Sequence, residues 1–68
     1  MQIQLNGKLV TVEGSLCLET LLKQYGITSS VGRVAVALNE EIVFRTEWSS
    51  RIVQEGDCIE IVHAVQGG

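Results

Sequence analysis

The sequence runs to Gly67-Gly68, and the Gly68 carboxylate is the one group in it with an evident chemical use. Glycine has no Cβ, reaches backbone angles closed to other residues and threads channels too narrow for a side chain. A carboxylate at the end of such a tail suits presentation to another protein's active site. Two glycines in a row at a set position arise by chance in roughly 0.5% of chains, so the pair asks for a reason. A frayed terminus would have the same composition, and the residues upstream have to decide between the two.

The other reactive side chains do not converge. Cys58 and His63 are five apart on one expected strand. That spacing puts them on opposite faces and rules out a thiolate–imidazole pair there. Cys17, Cys58 and His63 do not have the spacing of a zinc site, so no metal is expected. Gly7, Gly14, Gly26 and Gly32 fall at separate turns and build no phosphate-cradling loop. An enzyme needs a pocket with convergent titratable groups, and catalysis by this chain alone is not expected.

The composition narrows the partners. Sixty-eight residues make one small domain, close to the lower size at which an apolar core holds a fold. The net charge is −3, and Lys8, Lys23, Arg33, Arg45 and Arg51 are scattered. Nucleic acid binding asks for a basic stripe, so that class is excluded. Acidic residues gather at Glu40-Glu41 and through Glu55, Asp57 and Glu60, and a basic protein surface would be their target. No apolar run nears the ~20 residues of a membrane span, and the amino terminus does not read as a secretory signal. The two cysteines are expected as free thiols in a reducing compartment, the cytoplasm or an organelle stroma.

These residues need a scaffold, and the chain reads as an ordered set of elements. Residues 1–12 predict a β-hairpin around Asn6-Gly7, the dipeptide best suited to a type I′ turn. That turn pairs Leu5 with Lys8, Ile3 with Val10 and Met1 with Val12 on one face, and Gln4 with Leu9 and Gln2 with Thr11 on the other. Leu18, Leu21, Leu22 and Tyr25 have the spacing of one helical face. They predict a helix over 16–25, with Ser15 the best capping residue by type, Gly26 at its end and Ile27 folding back on Leu22. Thr28–Gly32 reads as a loop, Val34–Leu38 as a strand and Asn39–Glu41 as a turn into a short strand, Ile42–Phe44. One helical turn capped by Thr46 follows, and Trp48 is expected to close an edge of the core. Glu55-Gly56-Asp57 turns into a last strand from Cys58 to about His63, with Ile59 and Ile61 inward. The whole is an α+β domain of two layers over residues 1–63, a mixed sheet on one main helix, with residues 64–68 as a flexible tail.

With this order and this tail, the chain resembles the β-grasp sulfur carriers, bacterial relatives of ubiquitin. Among them it looks most like the thiamine-biosynthesis sulfur carriers (ThiS family). The resemblance rests on the Asn6-Gly7 hairpin and on Val34-Ala35-Val36-Ala37-Leu38-Asn39 with Ile42-Val43, Arg45 and Trp48. Its strongest part is Val53 to Gly68, with a Gly56-Asp57 turn, an apolar strand, Ala64-Val65 and Gly67-Gly68. Phe44 stands where the family usually has Pro, and Leu16-Cys17 where a Thr cap is common.

The resemblance implies a carrier that is not itself an enzyme and binds no cofactor. An E1-like adenylating enzyme would use ATP to activate the Gly68 carboxylate. A persulfide donor protein would then supply sulfur, and the thiocarboxylate would serve thiazole synthase. Gly67 would give the tail access to both partner channels. Residues 64–68 span at most ~18 Å when extended, so the domain must dock close by. If the strands pair as in the β-grasp, Leu9, Ala35, Ala37 and Val62 share the sheet face that the helix leaves open. With Val65 of the tail they form the expected docking surface. The small subunit of molybdopterin synthase shares fold, tail and activation chemistry but tends to run longer. A ubiquitin-like protein modifier and a plain binding module are the remaining alternatives.

Overall fold

The computed structural model describes residues 1–27 and 34–63. Strands β1 (Gln2–Leu5) and β2 (Lys8–Thr11) precede helix α1 (Leu18–Gln24). Strands β3 (Val34–Leu38) and β4 (Glu41–Val43), a 3-10 turn (Arg45–Glu47) and β5 (Cys58–His63) complete the order. The sheet runs β2-β1-β5-β3-β4. β5 is parallel to β1 and antiparallel to β3, so the last strand lies in the middle of the sheet.

The first hairpin has the register that its turn demands, from Leu5 opposite Lys8 to Gln2 opposite Thr11. Asn6 (φ 51°) and Gly7 (φ 83°) both take the positive angles of a type I′ turn. Ile3, Leu5 and Val12 are buried on one side. Leu18, Leu21 and Leu22 of α1 are buried too, and together with Val36 and Ile59 they form the core between the two layers.

Helix α1 is shorter than the periodicity predicts. It starts at Leu18 after an extended Cys17, and neither Ser15 nor any other side chain caps it. Main-chain groups from further along do that work instead. Leu18 N–H donates to Arg51 O at 2.7 Å and Glu19 N–H to Trp48 O at 3.0 Å. Cys17 bridges Ile52, and Val53 N–H reaches Leu16 O at 2.9 Å. With its first donors satisfied by the 48–53 segment, the helix has no use for a Ser or Thr cap. This also accounts for Leu16-Cys17 at that place. The other end is a Schellman motif, as expected: Ile27 N–H donates to Leu22 O at 2.9 Å and Gly26 N–H to Lys23 O at 3.0 Å, with Gly26 at φ 79°. Tyr25, predicted on the buried stripe, falls past the helix end and is exposed.

Two corrections concern the segment after β4. The strand ends at Val43, and the helical turn begins at Arg45, so Thr46 lies inside the turn and caps nothing. Phe44 takes the junction at φ −72°, an angle that proline would also hold. That φ suits either residue. The indole Nε1 of Trp48 donates to Val43 O at 3.1 Å, and Trp48 is buried, in line with its expected place at an edge of the core. The predicted loop 28–32 lies outside the described residues. A five-stranded mixed sheet holding one main helix is the β-grasp fold.

Candidate functional site

Gly67 and Gly68, with Val65, lie outside the described residues; the strand that leads to them is β5, flanked by β1 and β3. On the β3 side it is paired along its length, from Leu38 opposite Ile59 to Val34 opposite His63. Its beginning is clamped by side chains of two turns. Asn39 Oδ1 accepts from Cys58 N–H at 2.9 Å and Asn39 Nδ2 donates to Asp57 Oδ1 at 3.0 Å. Asp57 Oδ2 accepts from Gln54 N–H at 2.7 Å, closing the turn ahead of the strand. The last described strand is therefore held from both sides in the middle of the sheet.

Cross-strand partners lie on the same side of a sheet, so the pairings decide which residues share the open face. Ala35 is opposite Val62 and Ala37 opposite Glu60, while Ile42 is opposite Ala37. Ala35 and Ala37 are exposed and half-buried, and Val62 is 59% exposed. These three lie on one face, with Glu60 beside them as an acidic neighbour. Leu9, 65% exposed, is on the same face but at its far end, because Gln4 and Cys58 stand between. The face is therefore split into a main patch over β3, β4 and β5 and an outlying leucine.

Two members of the main patch were not among the sequence candidates. Ile42 is 60% exposed and Phe44 68%. A shallow depression of about 340 Å³ runs beside them, lined also by Ala35, Arg45 and Trp48. Ile42 was legible in principle: a two-residue turn at Asn39-Glu40 sets Ile42 against Ala37. Arg45 rests over the Trp48 ring, 5.3 Å from its centroid, a cation–π contact that holds this rim.

The thiols stay apart from the open patch or at its margin. Both cysteines are free. Cys58 Sγ donates to Gln4 Oε1 at 3.2 Å on the open face. Cys17 Sγ lies 3.3 Å from Thr20 Oγ1, and the hydrogen bonds with Thr20 hold this thiol below the ordinary cysteine range. His63 is exposed, and its place on β5 is the opposite side from Cys58. No three His, Cys, Asp or Glu side chains gather into a metal site among the described residues. No helix there is long and apolar enough to cross a membrane.

Known proteins share this arrangement. The ThiS family model matches residues 3–68. The sulfur carrier protein ThiS of Escherichia coli is 32% identical over 68 residues, the full length of both chains. A thiazole synthase of Magnetococcus marinus is 38% identical over the same 68 residues, and the chain spans only 20% of that protein's length. The crystal structure of the thiamine biosynthesis protein ThiS from Geobacter metallireducens superposes with a TM-score of 0.83 at 33% identity, covering all of both chains.

Proposed function

Because the chain belongs to the ThiS family, we propose that it is a sulfur carrier of thiamine biosynthesis whose Gly68 carboxylate is the loaded group. The observation that carries this reading is the extent of the family match, which includes Gly67 and Gly68. The full-length likeness to a sulfur carrier supports it.

The chemistry follows from the carboxylate. Its carbon is a poor electrophile, because the negative charge is shared over both oxygens and neither leaves readily. An E1-like partner adenylates it with ATP, releasing pyrophosphate and making AMP the leaving group. The outer sulfur of a cysteine-derived persulfide attacks the acyl carbon and expels AMP, giving an acyl disulfide. A second thiol then attacks the donor cysteine's sulfur, forms a disulfide with it and releases the thiocarboxylate at Gly68. Thiazole synthase is the acceptor, a role supported by the likeness of this whole chain to part of a thiazole synthase. The chain itself contributes a last strand held in the middle of the sheet, a side-chain-free end and a surface to dock.

Docking falls to the patch of Ala35, Ala37 and Val62, with Ile42 beside it. Ala37→Arg places a cation where an apolar contact forms, and an unpaired charge is costly there. Affinity for the adenylating partner should fall about tenfold or more, about 1.4 kcal/mol. The melting temperature should stay unchanged, since Ala37 is on the outer face. Titration calorimetry reads the affinity; a variant that binds as tightly as the natural chain sinks this surface.

The function itself is tested by intact-protein mass spectrometry after incubation with ATP, the adenylating enzyme, a persulfide source and a thiol reductant. The expected product is heavier by one sulfur in place of one oxygen and forms only with ATP. Its consumption by thiazole synthase assigns the pathway. Unchanged mass in the presence of an active enzyme overturns the proposal.

A further inference from the structure

β5 is longer than its partner on the β1 side. The two strands pair at Gln4–Cys58 and Leu5–Ile59 only, because the chain turns away at Asn6-Gly7. Gln4 N–H donates to Asp57 O at 2.8 Å and Asn6 N–H to Ile59 O at 2.9 Å. The next donor along this side is Ile61 N–H, with no strand residue left opposite. Asn6 Oδ1 accepts it at 2.7 Å. One residue thus brackets β5, its main-chain N–H on Ile59 and its side-chain oxygen on Ile61. Two residues further on, the described strand ends at His63.

The turn alone does not call for that oxygen. Asn6 has φ 51°, and glycine meets a positive φ at least as easily. Nor does the sheet depend on it, because β3 pairs with β5 as far as His63. The contact fixes the β1 side of the last strand, next to the tail. The five residues that follow the strand span at most ~18 Å, so the direction of β5 limits where Gly68 can reach.

We propose that Asn6 is a positioning residue for the reaction at Gly68, acting through the Ile61 N–H to set the direction in which β5 delivers the tail. This rests on the carrier reading above. Docking uses the open face and adenylation uses the tail, so the two separate in kinetics. Asn6→Gly keeps the turn and removes the oxygen; Asn6→Asp keeps both, and its carboxylate accepts the same N–H.

The test is ATP–pyrophosphate exchange by the adenylating enzyme with the full chain as substrate, alongside amide exchange at Ile61 by NMR. Asn6→Gly is expected to speed amide exchange at Ile61 and to lower kcat about tenfold, a cost typical of a misplaced reacting group, with KM unchanged. Asn6→Asp is expected to restore both. A glycine variant with natural kcat, a loss confined to KM, or an aspartate variant as poor as the glycine one overturns the positioning role alone. A natural chain that supports no exchange overturns the carrier reading, and this inference with it.

Discussion

Removal of Gly68 should abolish sulfur loading while leaving the domain folded and able to bind its activating partner. The chain would then end on Gly67, with its carboxylate about 3.5 Å short of the natural position. Adenylation joins two groups that must sit within near-contact distance, and misplacement of even an ångström can cost about 10²-fold. A loss of at least that size in pyrophosphate exchange is expected, with no sulfur-for-oxygen product by mass spectrometry. Binding should persist, because Ala35, Ala37 and Val62 are in the sheet and all precede the deleted residue. Melting should not move, since the core from Ile3 to Ile59 does not involve it. The combination of intact binding and lost chemistry separates a presented carboxylate from a frayed end. A truncated chain that still acquires sulfur would show that Gly68 is not the loaded residue. Adducts of higher mass on other proteins, formed by the natural chain and lost on truncation, would point to a protein modifier instead.

Much of this architecture was legible because it depends on local rules. Asn6-Gly7 sets the register of the first hairpin by the positive φ angles of its turn, and Gly26 with Ile27 ends the helix by the same logic. The alternation in Val34–Leu38 and Cys58–His63 identifies the strands and their buried sides. The miss at the start of the helix has a long-range cause. The start of α1 is set by Arg51 O and Trp48 O, carbonyls some thirty residues away, and no local pattern announces them. The same long-range contacts make a Thr cap needless at Cys17. At the site, alternation with the strand order of the resembled fold placed Leu9, Ala35, Ala37 and Val62 on one face, whereas the separation of Leu9 by Gln4 and Cys58 is seen only in the paired sheet. Asn6 shows the limit most clearly. Its turn role is written in the Asn-Gly pair, but its bond to Ile61, across 55 residues, is a property of the folded sheet.

Trp48→Ala should be the most destabilising single change in the core. Trp48 is 1% exposed and is among the largest fully buried side chains. Truncations of buried aromatic residues to alanine cost about 3–5 kcal/mol, through lost transfer energy and the cavity left behind. A domain of this size has a core that rarely supplies more than about 3–5 kcal/mol of net stability. The two figures are of the same size, so the variant is expected to be largely unfolded at 25 °C. Three contacts tie Trp48 to its surroundings: Nε1 donates to Val43 O, Trp48 O accepts from Glu19 N–H, and Arg45 packs over the ring. The alanine variant loses the first and the third. Collapse of this corner would loosen the first turn of α1 and the end of β4 together. Trp48→Phe keeps most of the ring volume and loses the indole donor, with an expected cost of about 1–2 kcal/mol. Far-ultraviolet circular dichroism against urea is the suitable measurement, because the variants lack the one tryptophan that fluorescence would report. Each kcal/mol should lower the melting temperature by about 4–8 °C in a domain of this length. An alanine variant that melts within a few degrees of the natural chain would mean that Trp48 fills space without holding the fold. Its conjunction with Arg45 and Phe44 at the rim of the open face would then have to be explained by what docks there.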